Sequence, residues 1–129
     1  MSSLIPHNKD SPKIKIALPL FHHRVAPRFD SGSGTIRVIE IRNQRIQQSD
    51  DLLFLDVNPL EKMHQLARIG VSIIICGGLT ETCAQELEFL NIQVYPWISG
   101  DAEEVIKLFL SHKLPKYPVA NLPRPQTNG

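Results

Sequence analysis

No segment of this chain is apolar for long enough to cross a bilayer. Its most apolar run, Val71–Cys76, interrupted by Ser72, falls far short of the roughly 20 residues a membrane helix needs. The first residues, MSSLIPHNKDSPK, hold no apolar stretch of the kind a secretory signal carries. Cysteine is scarce, two in 129 residues. That is too few for a disulfide scaffold and, with no signal, points to a reducing, cytoplasmic setting. An excess of one charge is missing as well. With 14 basic and 13 acidic residues the net charge is +1, which argues against holding nucleic acid by bulk charge. Neither nucleic acid nor a membrane is expected as a partner. There is no dinucleotide fingerprint and no phosphate-binding loop of standard type. No Ser/His/Asp set is apparent, and no converging carboxylates of the sort that hold two metals. A catalytic role is therefore not expected.

What the chain does have is enough apolar content, 42%, for one domain with a real core. A lead-in over residues 1–12, a single α/β domain over 13–113 and a proline-rich tail over 114–129 are the expected divisions. Lys13–Leu20 reads as a first strand with Ile14, Ile16 and Leu18 on one face. A long loop, Phe21–Gly34, follows. Thr35–Arg42 and Arg45–Leu55 read as two more strands joined at Asn43–Gln44, an antiparallel meander. Asn58 caps a helix with Pro59 first and Gly70 as its stop.

The most informative stretch is Val71–Trp97. Val71–Cys76 reads as a buried strand, Gly77–Gly78 as a sharp turn, and Thr80 as the cap of a helix with Cys83, Leu87 and Leu90 on one side. A strand beginning at Ile92–Val94 comes next, then a helix over Ala102–Ser111 opened by Asp101 and Glu104 in a capping-box spacing. The order βββαβαβα predicts a mixed five-stranded sheet, meander on one side and parallel strands on the other, with helices covering it.

In such a sheet, ligands sit at the carboxyl ends of the strands. Two segments fall there. The loop carries His22, His23, Arg24 and Arg28, a basic set suited to an anion or, if it stays in water, a solvated loop. Adjacent histidines point different ways on an extended chain, so one at most enters a pocket. The turn carries Gly77, Gly78, Leu79 and Thr80, whose backbone N–H groups can cradle an anion at the helix start, or form a tight turn and nothing more. Cys76 and Cys83 are a soft-metal pair on one reading. On the other they are plain core, since free cysteine is among the most buried residue types.

The order of these features, from VAPRF at Val25–Phe29 through Gly77–Gly78 to NIQVYPWISGDAEEVIKLF at Asn91–Phe109, resembles the dinitrogenase iron–molybdenum cofactor biosynthesis family. The resemblance covers about Lys13 to Leu114. It implies a ribonuclease-H-like three-layer fold without nuclease activity, and a cytoplasmic, non-catalytic carrier for an iron–sulfur cluster or a molybdenum-containing sulfide cluster. A cluster donor or acceptor protein would be its partner, and the chain would be a monomer or homodimer. The family's first loop usually reads valine, small residue, proline, histidine, phenylalanine, glycine. Arg28 stands in place of the histidine and Asp30 in place of the glycine. A guanidinium does not coordinate metal, but it holds anions by charge and hydrogen bonds. Asn91 stands where the family has glycine, and it tolerates the same left-handed backbone. The alternative from another class is a metal-free interaction or regulatory module on the same fold. A binder of phosphorylated small molecules is a third.

Overall fold

The computed structural model describes residues 12–29, 34–55 and 57–115. The expected lead-in and tail fall almost wholly outside them. Six strands, β1 (Ile14–Phe21), β2 (Arg24–Val25), β3 (Thr35–Arg42), β4 (Arg45–Leu53), β5 (Val71–Ile75) and β6 (Gln93–Tyr95), make one mixed sheet. Among the described residues three helices accompany it, α1 (Pro59–Arg68), α2 (Glu81–Phe89) and α3 (Ala102–Leu110).

The sheet order is β4-β3-β1-β5-β6, with β2 paired to the end of β1. β1 lies at the centre, antiparallel to β3 and parallel to β5, and β6 continues the parallel half. The expected meander and parallel crossover are both present. The expected five strands are corrected to six among the described residues. Leu20 pairs with Val25 and Phe21 with Arg24, so the loop begins as a tight hairpin turning at His22–His23. His22 takes the left-handed backbone there, φ 60. Two paired residues are too few to leave an alternating pattern in the sequence.

Local chemistry explains the element ends. Asn43 and Gln44 both have positive φ, 56 and 64, the backbone of the two-residue turn that matches strand twist. The Asn58 side chain accepts from the Glu61 N–H at 2.8 Å. Thr80 does the same for Cys83, and Asp101 for Glu103 and Glu104. Helix α2 stops where Asn91 turns left-handed, φ 62, with Ile92 N–H donating to Leu87 O and Asn91 N–H to Glu88 O. That pairing is a Schellman cap.

The sheet buries both faces. Against one, α1 and α2 pack Met63, Leu66, Cys83, Ala84 and Leu87 with Ala17, Ile74 and Val94. Against the other, α3 packs Ala102, Val105 and Ile106 with Ile16, Leu18, Leu20 and Ile75. The helices thus form a layer on each side. Edge strand β4 is exposed along nearly its whole length. It ends at Leu53 because Phe54 turns into the core, 7% exposed, its N–H donating to Gly34 O.

Arg37 on β3 and Asp51 on β4 are joined by two hydrogen bonds, Nε–Oδ1 at 2.8 Å and a guanidinium NH2–Oδ2 at 3.2 Å. This bidentate contact holds the Asp51 carboxyl below its ordinary value of 3.8. Its contribution to stability is complete above that unfolded value and fades as pH falls toward the lower folded one. Both groups are substantially exposed, so Asp51→Asn is expected to cost only about 0.5 kcal/mol at pH 7. In urea denaturation at a series of pH values, the gap between wild type and variant should shrink below pH 4. A gap unchanged from pH 7 to pH 3 would contradict this account.

Candidate functional site at the loop and the double-glycine turn

The loop after β1 divides into two halves that dock in different places. The first half, His22–Val25, lies against the start of α3. Val25 N–H donates to Gly100 O at 2.9 Å, and Ala102 N–H donates to His23 O at 2.9 Å. Arg24 pairs with Asp101 as a single antiparallel bridge. The His23 ring lies 3.9 Å from an Asp101 carboxylate oxygen. His22 is exposed and stacks edge-on to Phe21, centroids 4.5 Å apart.

The second half, Ala26–Phe29, runs along the double-glycine turn. Ala26 N–H returns to Pro19 O on β1. Gly78 N–H donates to Pro27 O at 2.6 Å, and Phe29 N–H donates to Gly78 O at 2.8 Å. Arg28, between them, forms a parallel bridge with Gly78. Gly77 makes this approach possible. A Cβ there would stand 2.5 Å from Ala26 O and 2.6 Å from the Pro27 carbonyl carbon, closer than real contacts allow. The turn is tied on its far side by Trp97 N–H to Gly77 O and Ile98 N–H to Cys76 O, both 2.9 Å.

The structure therefore brings together Arg28, Gly77 and Gly78, with Leu79 and Thr80 following directly into α2. It places His23 and Arg24 at Asp101 instead. One of the turn's N–H groups, that of Gly78, is used by the loop. Leu79 turns its side chain into the core, 6% exposed, and Thr80 caps α2. Cys76 and Cys83, 0% and 5% exposed, belong to the core beneath α1 and α2. Among the described residues, no three His, Cys, Asp or Glu side chains gather closely enough to hold a metal ion. What the edge offers is guanidinium charge, backbone N–H groups and an aromatic wall.

That wall is Trp97, which the sequence reading did not single out. Its Cζ3 lies 3.3 Å from where a Cβ on Gly78 would stand, and Arg28 Cγ lies 3.6 Å from the same point. Trp97 has a left-handed backbone, φ 64, and its buried Nε1 has no hydrogen-bond partner among the described residues. A non-glycine residue so strained often marks a functional position. Asp101 was read only as a cap, yet it also faces the basic half of the loop. Lys62, on α1, was not singled out either; its Nζ reaches Phe29 O at 3.2 Å.

No family model matches the chain. It is 29% identical, over 112 residues, to an uncharacterised protein of Methanocaldococcus jannaschii, a match spanning 81% of this chain and 92% of that one. In fold it is similar to another Methanocaldococcus jannaschii protein, described provisionally as a dinitrogenase. The TM-score is 0.69 at 16% identity, covering 82% of this chain and 96% of that one. It is likewise similar to the apo form of the orange protein of Desulfovibrio gigas, TM-score 0.66 at 19% identity, covering 83% and 95%. The chain shares their fold. No helix among the described residues is long and apolar enough to cross a membrane.

Gly77→Ala is expected to lower stability by about 1–3 kcal/mol or more, because two backbone carbonyls must move. Gly78→Ala meets the Trp97 ring at 3.3 Å, Pro27 O at 3.4 Å and the Arg28 stem at 3.6 Å, all looser than at Gly77, and should cost less. Urea denaturation of both variants checks the order. Equal losses would mean that the loop does not press on Gly77 as described.

Proposed function

We propose that this protein is a small, non-catalytic binding protein for an anionic metal–sulfur cluster, held at the edge formed by Arg28, Gly77 and Gly78. The observation that carries the reading is the docking of a basic loop, backbone to backbone, onto the turn that opens α2 at the carboxyl end of β5. A helix start and a guanidinium there both favour negative charge. Likeness in fold to a protein solved in an apo form supports it. So does the resemblance in the order of motifs, which also carries the ribonuclease-H-like assignment of the three layers.

The donors present suit holding a cluster by its outer sulfides more than by metal bonds. Arg28 and the backbone N–H groups of Leu79 to Glu81 supply charge and donors. His22, exposed in the hairpin turn, is a candidate nitrogen ligand, while the His23 ring reaches the cluster only by leaving Asp101. Direct thiolate ligation by Cys76 or Cys83 requires the core to open. The cargo would arrive from, and leave to, other cluster-handling proteins in the cytoplasm.

Burial of both thiols, together with Arg28 where the resembling loop has histidine, favours a second reading. In it the fold serves as a metal-free interaction or regulatory module.

Anaerobic titration of the apoprotein with tetrathiomolybdate and copper(I), and separately with iron and sulfide, distinguishes these. The expected result is a charge-transfer absorbance that survives desalting, weakens on Arg28→Ala and persists in Cys76→Ser/Cys83→Ser. Loss in the double cysteine variant alone would move the site to the thiols. No retained chromophore in the wild type would overturn the cluster reading in favour of the metal-free module. A melting shift with phosphate and none with tetrathiomolybdate would point to phosphorylated ligands.

A further inference from the structure

Lys62 is the one charged side chain that the fold buries among the described residues, 6% exposed. It shares the inner side of α1 with Met63 and Leu66. Its ammonium reaches back 33 positions in sequence to donate to Phe29 O at 3.2 Å, and sits 5.2 Å from the centroid of the Phe29 ring. Phe29 N–H meanwhile donates to Gly78 O at 2.8 Å. Both backbone polar groups of Phe29 are thus engaged, one by the turn and one by a helix on the same layer. Phe29 is itself 1% exposed, and it immediately follows Arg28.

We infer that Lys62 is a positioning residue: through Phe29 it latches the loop to α1 and keeps Arg28 in register on Gly78. The physical reason is a division of labour. The hydrogen bonds of Gly78 fix the loop to the turn, and Ala26 N–H to Pro19 O ties it to β1. The Lys62 bond adds a tether from α1 at Phe29 O, the backbone acceptor next to Arg28. The buried cation is desolvated, so its bond to a carbonyl is stronger than a surface one and its loss is felt locally. The consequence for binding rests on the cluster reading above; the latch itself does not.

Lys62→Met removes the donor and the charge while keeping the volume. It should stay folded, since Met fills the same inner side of α1 beside Met63 and Leu66. Lys62→Gln, a neutral donor of slightly shorter reach, serves if the Met variant does not fold. Two measurements are made on the full chain. Amide hydrogen exchange at Phe29 and Gly78 is expected to quicken by on the order of tenfold, the worth of about one hydrogen bond, while amides in β1 and β3 keep their wild-type rates. Retention of tetrathiomolybdate after desalting is expected to weaken by a similar factor. Unchanged exchange at Phe29 and Gly78 overturns the latch whatever the binding result. Faster exchange with unchanged retention overturns the positioning role. If the wild type retains no thiomolybdate, the cluster reading fails, and the exchange data alone decide whether Lys62 holds the loop.

Discussion

A missing Cβ allows two distant segments of this chain to touch along their backbones. Gly77 lies against the carbonyls of Ala26 and Pro27 at a separation no side chain permits. The neighbouring Gly78 then exchanges hydrogen bonds with Pro27 and Phe29. Each bond contributes only about 0.5–1.5 kcal/mol net, but the steric constraint behind them is not graded. Fill the space and the loop must leave. Everything that makes this edge a candidate site follows from that contact: the placement of Arg28, the support by Trp97 from the other side, and the anchoring of Phe29.

The same contact divides the loop. The His23 ring turns toward Asp101 at the start of α3, and the Arg24 backbone bridges to it. Asp101 also caps α3 through Glu103 and Glu104, so one carboxylate serves helix and loop together. Arg28 is left at the start of α2, where the helix dipole and its own charge act in the same sense. The soft ligands are sorted the other way. Cys76 continues inward from β5 and Cys83 faces the sheet from α2, so sulfur sits beneath the edge and guanidinium at it.

Some features were legible because their causes are local. Asn58, Thr80 and Asp101 satisfy the orphan amides of the helix that follows each of them, whatever packs elsewhere. Asn43–Gln44 makes a turn from its own backbone preferences, and Thr35–Arg42 and Val71–Ile75 declare themselves by apolar spacing. The double glycine was likewise legible as a turn. What it turns against was not. The loop was expected to face it as one basic unit, whereas it splits at Val25. The hairpin at His22–His23 supplies the missing strand β2, and two paired residues leave no periodicity to read.

The sequence by itself determined the order of every long element, where each helix starts and stops, and which faces are apolar, because caps, turns and spacing act over three or four residues. Only the tertiary structure decided that Lys62 is buried rather than solvated, that Trp97 closes on Gly78, and that His23 and Arg24 answer to Asp101. Those pairings join residues from about 20 to almost 80 positions apart. They depend on which sheet edges come together, and no local pattern encodes that.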